Sequence, residues 1–168
     1  MSLRARACSC AALVAAFAFS PAAFAQDEAP APGPSQDAAW HNRQMIALAE
    51  RQASDGWSYL PGGLLWRRVK GDGTGARPTV DDTVTLHYAG TLVDGTEFDS
   101  SVRRGQPATF PLRGLIPAWQ LAVPMMGVGD TIEIATPATL AYGPIGRGPI
   151  PGGATLLFRI ELLGIVAR

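Results

Sequence analysis

Six aromatic residues and one carboxylate are the side chains of this sequence best placed to do chemistry. The aromatic residues lie at predicted strand ends, beside turns or on a short helix, and they are Tyr88, Phe98, Phe110, Trp119, Tyr142 and Phe158. Aromatic residues most often belong to the core, but two details favour a binding site here. Asp99 follows Phe98 directly, and Tyr142 begins a loop rich in proline and glycine, the kind of segment that commonly borders binding sites.

The usual groups for covalent or metal catalysis are missing or far apart. The sequence has no Gly-x-Ser-x-Gly elbow and no His-Glu-x-x-His motif, and its glycine-rich stretch at 71–75 lacks the lysine of a phosphate-binding loop. Cys8 and Cys10 are too few and too close for a disulfide framework, and 46 positions separate His41 from His87. We therefore expect neither a metal nor a cofactor.

Alternating hydrophobic residues predict the strands that must position the aromatic residues. At 83–88 the pattern places Val84, Leu86 and Tyr88 on one face and His87 on the other, so His87 is predicted to lie on the sheet surface. Residues 131–135 and 154–162 alternate in the same way, and 64–70 and 109–112 are further strand candidates.

The connections between these strands predict an α+β fold. Asp94-Gly95 is a favoured turn between antiparallel strands, and a short helix is predicted at 117–125, where Pro117 is tolerated in the first turn. Since no long helix separates the strands, a parallel sheet is not expected. We predict an antiparallel sheet curled over this one short helix.

The composition excludes some partners, and the first 25 residues predict export. Lysine plus arginine total 14 and aspartate plus glutamate total 14, so nonspecific binding of nucleic acid is not expected. Residues 1–25 combine two arginines, a short apolar stretch and the small-residue pattern Ala23-Phe24-Ala25, which is typical of a cleaved signal peptide. The apolar stretch is too short for a membrane anchor, so no membrane span is expected after cleavage.

A linker and a helix are predicted before the sheet. Residues 26–36 are polar and contain three prolines, which is typical of a flexible linker. Residues 37–54 are rich in helix formers and Gly56 provides a stop, so 37–56 is predicted as an N-terminal helix with a modest apolar stripe of Ala38, Met45, Leu48 and Ala49. His41 on this helix is predicted to be solvated. The helix is expected to pack on its own domain, with dimerisation through it as the alternative.

Six short motifs, in order, give the sequence a family resemblance. They are VTLHYAG at 84–90, DGTEFDSS at 94–101, GQPATF at 105–110, LIPAW at 115–119, LAYG at 140–143, and IP at 150–151 followed by ATLLF at 154–158. Residues 57–168 thus resemble an FKBP-type peptidyl-prolyl cis-trans isomerase domain, most closely the bacterial exported, macrophage infectivity potentiator-like branch. The resemblance implies a five- or six-stranded antiparallel half-barrel sheet wrapped around the short helix.

The resemblance also implies a prolyl pocket and a role for each of its residues. Trp119 would form the floor, and the walls would be Tyr88, Phe98, Phe110, Ile116 and Phe158. Leu115 and Ile150 would flank the mouth. The Ile116 backbone N–H and the Tyr142 hydroxyl would donate hydrogen bonds to substrate carbonyls, and Asp99 would accept one from Tyr88.

The implied activity is noncovalent isomerisation of X-Pro bonds during folding of exported proteins. Proline-containing unfolded or exported polypeptides would be the substrates, FK-class macrolides would be inhibitors, and the protein would be periplasmic or secreted. A monomer is expected. The alternative is a proline-binding or chaperone-like module with little or no isomerase activity.

Four departures from the family pattern bear on ligand preference. Ala108 replaces an aromatic residue of many eukaryotic relatives, Ala118 replaces a usual glycine, and Pro124 is uncommon within the helix. The loop at 143–152 is about one residue shorter than in the smallest relatives. The pocket residues are all retained, so the departures concern macrolide affinity and substrate preference.

Overall fold

Seven antiparallel strands form one sheet in the protein, which is described by a computed structural model over residues 37–166. The predicted signal peptide at 1–25 and linker at 26–36 lie outside the described residues. The strands of this sheet are β1 (Ser58–Leu60), β2 (Leu64–Lys70), β3 (Thr83–Leu92), β4 (Glu97–Ser100), β5 (Ala108–Pro111), β6 (Thr131–Thr136) and β9 (Leu156–Val166). A separate two-stranded hairpin consists of β7 (Gly146–Arg147) and β8 (Ile150–Pro151), and the helices are α1 (Ala38–Ala49) and α2 (Pro117–Ala122).

The sheet is six strand positions wide. Its order is β1-β2-β6-β9-β3, and the last position beside β3 is shared by β4, which pairs with residues 89–91, and β5, which pairs with residues 83–86. The predicted α+β class, with an antiparallel sheet over one short helix and a further helix before it, is confirmed.

The core lies between the sheet and α2. Val84 and Leu86 are fully buried on β3, and the alternate residues Leu156, Phe158, Ile160 and Leu162 of β9 are buried on the same face. Trp119 of α2 packs into this cluster. The two-residue period of a strand explains why the sequence pattern identified these faces correctly.

The short helix ends three residues earlier than predicted. α2 stops at Ala122, and Val123–Met125 forms a 3₁₀ turn. Pro124 lies in this turn, and because proline has no backbone N–H it cannot donate the next bond of an α-helix.

The N-terminal helix is also shorter than predicted, and a different face of it is buried. α1 ends at Ala49, and Gly56, with φ of +80°, ends a later 3₁₀ turn at Ala53–Asp55. Three members of the predicted apolar stripe, Ala38, Met45 and Ala49, are exposed. Among residues 37–166, no helix is long and apolar enough to span a bilayer.

The buried face of α1 is centred on a polar residue, Gln44, which is 5% exposed. Its side-chain oxygen accepts a hydrogen bond from the Thr155 amide at 2.8 Å, and the Thr155 hydroxyl donates to the Gln44 carbonyl at 3.3 Å. Trp40, one turn earlier, packs against the main core. Hydropathy ranks glutamine as a surface residue, so the predicted apolar stripe did not include Gln44. The stripe prediction was wrong because Gln44 accepts hydrogen bonds from the amide and hydroxyl of Thr155, next to β9.

Replacing Gln44 with alanine should therefore weaken the attachment of α1. The change leaves the buried Thr155 amide without its acceptor, and we expect the free energy of unfolding to fall by about 1–3 kcal/mol in urea denaturation. Gln52→Ala, at an exposed position, is the matched control and should change it little. Equal effects of the two changes would contradict this account of the helix.

Candidate active site

Eight of the ten predicted site residues line a single pocket of about 150 Å³ between α2 and the sheet. They are Tyr88, Asp99, Phe110, Leu115, Ile116, Trp119, Tyr142 and Phe158. β3, β4, β5 and β9 supply four of them, and the others come from α2, the residues just before it and the loop that begins at Tyr142. The sheet thus brings together residues that are up to 70 positions apart (Tyr88 and Phe158).

Trp119 anchors the aromatic rings of this pocket. It is 4% exposed, and its ring meets those of Tyr88 and Phe158 nearly at right angles, with centroids 5.2 and 5.4 Å away. Edge-to-face contacts of this kind are favourable and hold the rings in defined orientations. Within the described residues, the buried Trp119 Nε1–H has no hydrogen-bond acceptor.

The other two predicted site residues lie outside the pocket lining. Phe98 packs edge-to-face against Phe158 with centroids 5.6 Å apart, so it supports the wall from behind. Ile150 was expected at the mouth; it is 7% exposed and packs in the same buried cluster as Trp119 and Phe158, but it is not among the residues that line the cavity. Its strand β8 pairs with β7, with Ile150 opposite Arg147.

Gly90 makes room for the aromatic wall, a role that sequence reasoning did not assign. A Cβ atom at this position would lie 2.6 Å from the Phe98 ring and 2.8 Å from the Phe158 ring. Both distances are shorter than real Cβ contacts, so any larger residue would displace one of the rings. The glycine in the quoted VTLHYAG motif was the available signal.

The polar edge of the pocket is a three-residue network. The Tyr88 hydroxyl donates a 2.5 Å hydrogen bond to Asp99, the bond that the resemblance implied. Arg104, which sequence reasoning missed, forms an ion pair with Asp99 and donates to the Tyr88 hydroxyl at 2.9 Å. Nothing in the sequence separates Arg104 from Arg103, which instead pairs with Glu97 at 3.0 Å.

The pKa of Tyr88 is raised in this network and the pKa of Asp99 is lowered. Burial raises the pKa of the Tyr88 phenol, and its hydrogen bond to Asp99 raises that pKa further. Burial also acts to raise the pKa of Asp99, but hydrogen bonds from Tyr88 and Arg104 outweigh it and hold that pKa below its usual value. Asp99 thus stabilises the folded state until pH falls through its lowered pKa, below about pH 4. Tyr88 stabilises the folded state until pH rises above about 10.

An alkaline titration should detect the raised tyrosine. When tyrosinate absorbance is followed, we expect Tyr88→Phe to remove the phenol that ionises at the highest pH. Tyr59→Phe is the control, because Tyr59 is 70% exposed and remote from the pocket, and the high-pH step should persist in it. Persistence of that step in Tyr88→Phe would contradict the assignment.

Two hydrogen-bond donors at the pocket are available to a ligand. Neither the Ile116 amide nor the Tyr142 hydroxyl donates to an acceptor within residues 37–166. Arg147 lies on the loop that begins at Tyr142, and its guanidinium carbon is 5.9 Å from the centroid of the Tyr142 ring.

The histidines lie outside this site. His87 is on the opposite face of β3 and bonds the Ser101 hydroxyl at 3.0 Å, and His41 is exposed on α1. Among the described residues no group of acidic, histidine or cysteine side chains could hold a metal ion.

Comparison with known proteins places this arrangement in a family. The sequence pattern of the FKBP-type peptidyl-prolyl cis-trans isomerases matches residues 75–163, which is more than half of the chain. The chain belongs to this FKBP family. The match contains every residue that lines the aromatic pocket.

Bacterial FKBP proteins are among the similar sequences. This FKBP chain is 48% identical over 118 residues to the FKBP-type peptidyl-prolyl cis-trans isomerase FkpA of Aeromonas hydrophila, covering 70% of this chain and 44% of that protein. It is 45% identical over 120 residues to the outer membrane protein MIP of Legionella longbeachae, covering 70% and 51%. The chain is thus of the FkpA and MIP kind and spans about half the length of these relatives.

Solved FKBP structures share the fold. The crystal structure of FkpA from Escherichia coli matches with a TM-score of 0.67 and 37% identity, covering 76% of this chain and 58% of that one. A peptidyl-prolyl cis-trans isomerase from Pseudomonas syringae matches with a TM-score of 0.70 and 31% identity, covering 80% and 97%.

Proposed function

We propose that this chain is a peptidyl-prolyl cis-trans isomerase that accelerates rotation about X-Pro bonds in exported polypeptides. The observation that carries the proposal is the aromatic pocket closed by Trp119 at its floor, with Asp99 and Tyr88 at its edge. A proline ring is apolar and compact, so it is the part of a polypeptide that such a pocket would bind.

The physical chemistry of the bond explains how this pocket would act. Resonance holds the amide planar with a barrier of ~18–20 kcal/mol. A twisted amide has lost that resonance and is less dipolar, so an apolar, water-poor site favours the twisted state over the planar one. Reducing the relaxation time from tens of seconds to milliseconds needs about 10⁴–10⁵-fold, equivalent to about 5–7 kcal/mol. Desolvation, shape and a few hydrogen bonds are sufficient for this.

Each group has an assigned role in the proposed reaction. Trp119 supports the proline ring, and Tyr88, Phe110, Ile116 and Phe158 enclose it. The Ile116 amide and the Tyr142 hydroxyl would donate to substrate carbonyls, since both are without internal acceptors among the described residues. Asp99 would hold the Tyr88 hydroxyl and set the electrostatic field of the pocket.

We also propose how the chain is divided into segments. Residues 1–25 act as a signal peptide, 26–36 as a linker and 37–56 as a helical segment before the isomerase domain at 57–168. The composition of 1–25 supports export to the periplasm or outside the cell. The substrates would be proline-containing unfolded or exported proteins, and the protein would act as a monomer.

A protease-coupled assay tests the proposed function. The cis form of a proline tetrapeptide resists cleavage until it isomerises, so the slow phase of cleavage reports the isomerisation rate. We expect purified protein at submicromolar concentration to accelerate this phase. An unchanged rate at micromolar protein would overturn the proposal, and retained binding of proline peptides would then identify a binding module.

An FK-class macrolide should occupy the same pocket. We expect it to change the fluorescence of Trp119 and to abolish the catalysed phase, because the tryptophan forms the pocket floor. Trp119→Phe should lose most of the fluorescence change, whereas Trp66→Phe, outside the pocket, should retain it. No change at saturating macrolide would show that the pocket or its shorter loop does not accept this ligand.

A further inference from the structure

A second cavity of about 280 Å³ lies on the other face of the sheet and is larger than the aromatic pocket. Its position follows from strand alternation: Leu157 and Arg159 line it, and they point away from the core face that carries Ile160. We call it the arginine pocket; the residues that line it include Arg51, Trp57, Arg67, Glu133, Leu157 and Arg159.

Positive charge is in excess in the arginine pocket. Three arginines line it with a single carboxylate, Glu133, which gives a local charge of +2. Both oxygens of Glu133 are already used, one by Arg67 at 2.7 Å and the other by Arg159 at 2.9 Å. Within residues 37–166, Arg51 has no carboxylate at ion-pair distance.

Arg51 is incompletely satisfied as well as unpaired. Its guanidinium donates to the Ala47 carbonyl, but its Nε atom is buried and has no hydrogen-bond partner among the described residues. Burial, and after it the charge of Arg67, lower the pKa of Arg51, while the carboxylates of Glu133 and Glu50 act in the opposite direction. The Nη2 atom of Arg51, by contrast, is not buried and donates to no acceptor among the described residues, so this nitrogen is open to an anion in the pocket.

The rest of the lining suits an apolar group. Trp57 is 7% exposed and is flanked by the guanidinium groups of Arg51 and Arg67, at 5.3 and 4.8 Å from its ring centroid. The half-buried residues Ala89 and Leu157 complete this part of the cavity. A bare phosphate would leave these apolar walls without a partner.

We propose that the arginine pocket binds a carboxylate carried on an apolar body. The Nη2 group of Arg51 would donate a charge-assisted hydrogen bond to the carboxylate. The apolar body would lie along Trp57 and Leu157. The same chemistry is offered by a small organic acid and by an acidic side chain beside an apolar residue in a polypeptide.

NMR of the arginine side chains gives a direct test. In the purified protein, 3-phenylpropionate is expected to shift the Nε–Hε signal of Arg51 with saturation, since a carboxylate bound at Nη2 changes the charge distribution of the same guanidinium. The neutral analogue 3-phenylpropanamide should leave the signal in place. An unshifted Arg51 signal with saturating phenylpropionate would overturn the proposal, and so would an equal shift with the amide.

A second arm distinguishes the two sources of the carboxylate. The proline-free peptide acetyl-Leu-Glu-Leu-amide is compared with acetyl-Leu-Gln-Leu-amide, so that the aromatic pocket has no proline to bind. Binding of the Glu peptide alone assigns the site to polypeptides, and binding of phenylpropionate alone assigns it to small acids. The proposal would be overturned if inorganic phosphate shifts the Arg51 signal while neither phenylpropionate nor the Glu peptide does so.

Matched variants locate the site. Arg51→Gln should weaken carboxylate binding at least about tenfold, measured from the backbone amide shifts of 157–159, because it removes a charge-assisted hydrogen bond. Arg43→Gln is the control, since Arg43 is exposed on the preceding helix and outside the pocket. Equal affinities of the two variants would contradict the assignment, and the wild-type Nε–Hε shift decides the question if Arg51→Gln does not fold.

Discussion

Replacing Asp99 with valine is expected to lower kcat/KM for prolyl isomerisation by roughly 10–100-fold while the fold persists. Asp99 accepts from the Tyr88 hydroxyl and pairs with Arg104. Hydrogen bonds to charged groups contribute about 1.5–3 kcal/mol, which corresponds to this range of rates when they are lost from a transition state. Valine fits β4 by propensity, so the change removes the carboxylate without breaking the strand.

Glu97→Val provides the matched control for this measurement. Glu97 lies on the same strand, and its partner is Arg103 instead of a pocket residue. The protease-coupled assay should show nearly wild-type activity for this variant and a strong loss for Asp99→Val. Equal activities of the two variants would show that Asp99 has no role in the mechanism. Suppression of client aggregation that survives the Asp99 change would indicate a chaperone activity separate from isomerisation.

The largest stability effect is expected at Asp130, whose side chain is 3% exposed. One of its oxygens accepts from Arg68 at 3.0 Å and from the Gly127 amide at 2.8 Å, and the other accepts from the Gly73 amide at 3.1 Å. Asp130→Ala leaves a half-buried guanidinium and two amides without this acceptor. We expect the free energy of unfolding to fall by about 3–5 kcal/mol, the usual result of removing one partner of a buried ion pair.

Guanidinium chloride denaturation would measure this loss, with Asp72→Ala as the comparison. Asp72 is exposed and accepts only from the amide and hydroxyl of Thr74, in a local turn. Its replacement should shift the unfolding midpoint much less. A loss at Asp130 below about 1 kcal/mol would mean that Arg68 and the two amides find other acceptors, most simply water.

The sequence was sufficient to predict which faces of the strands are buried and which residues form most of the aromatic pocket. The two-residue period fixes which side chains within β3 and within β9 share a face, whereas the family resemblance placed Tyr88 and Phe158 in one pocket. The family motifs supplied the pocket residues on other elements. Their spacing could not reveal that Ile150 lies outside the cavity lining, because that depends on how the β7–β8 hairpin packs on the core.

Features that depend on distant partners escaped prediction. Gln44 is buried because it meets Thr155, 111 positions later in the sequence. Arg104 reaches the pocket while Arg103 turns away, although their local sequence is the same. The arginine pocket combines residues from β2, β3, β6, β9 and the segment after α1, and its charged residues show no sequence pattern that distinguishes them from a solvated surface.

The central place of β9 has a consequence for the order of folding. Its pairs with β3 join residues between 64 and 83 positions apart, from Leu92 with Leu156 to Thr83 with Val166, and β9 also pairs with β6. Contacts of such separation form late and slowly, because the entropy of closing a long loop must be lost before they stabilise the chain. A nascent chain that lacks β9 therefore has no sheet centre and no Phe158 wall, so the proposed binding of proline by the aromatic pocket requires β9 to have emerged.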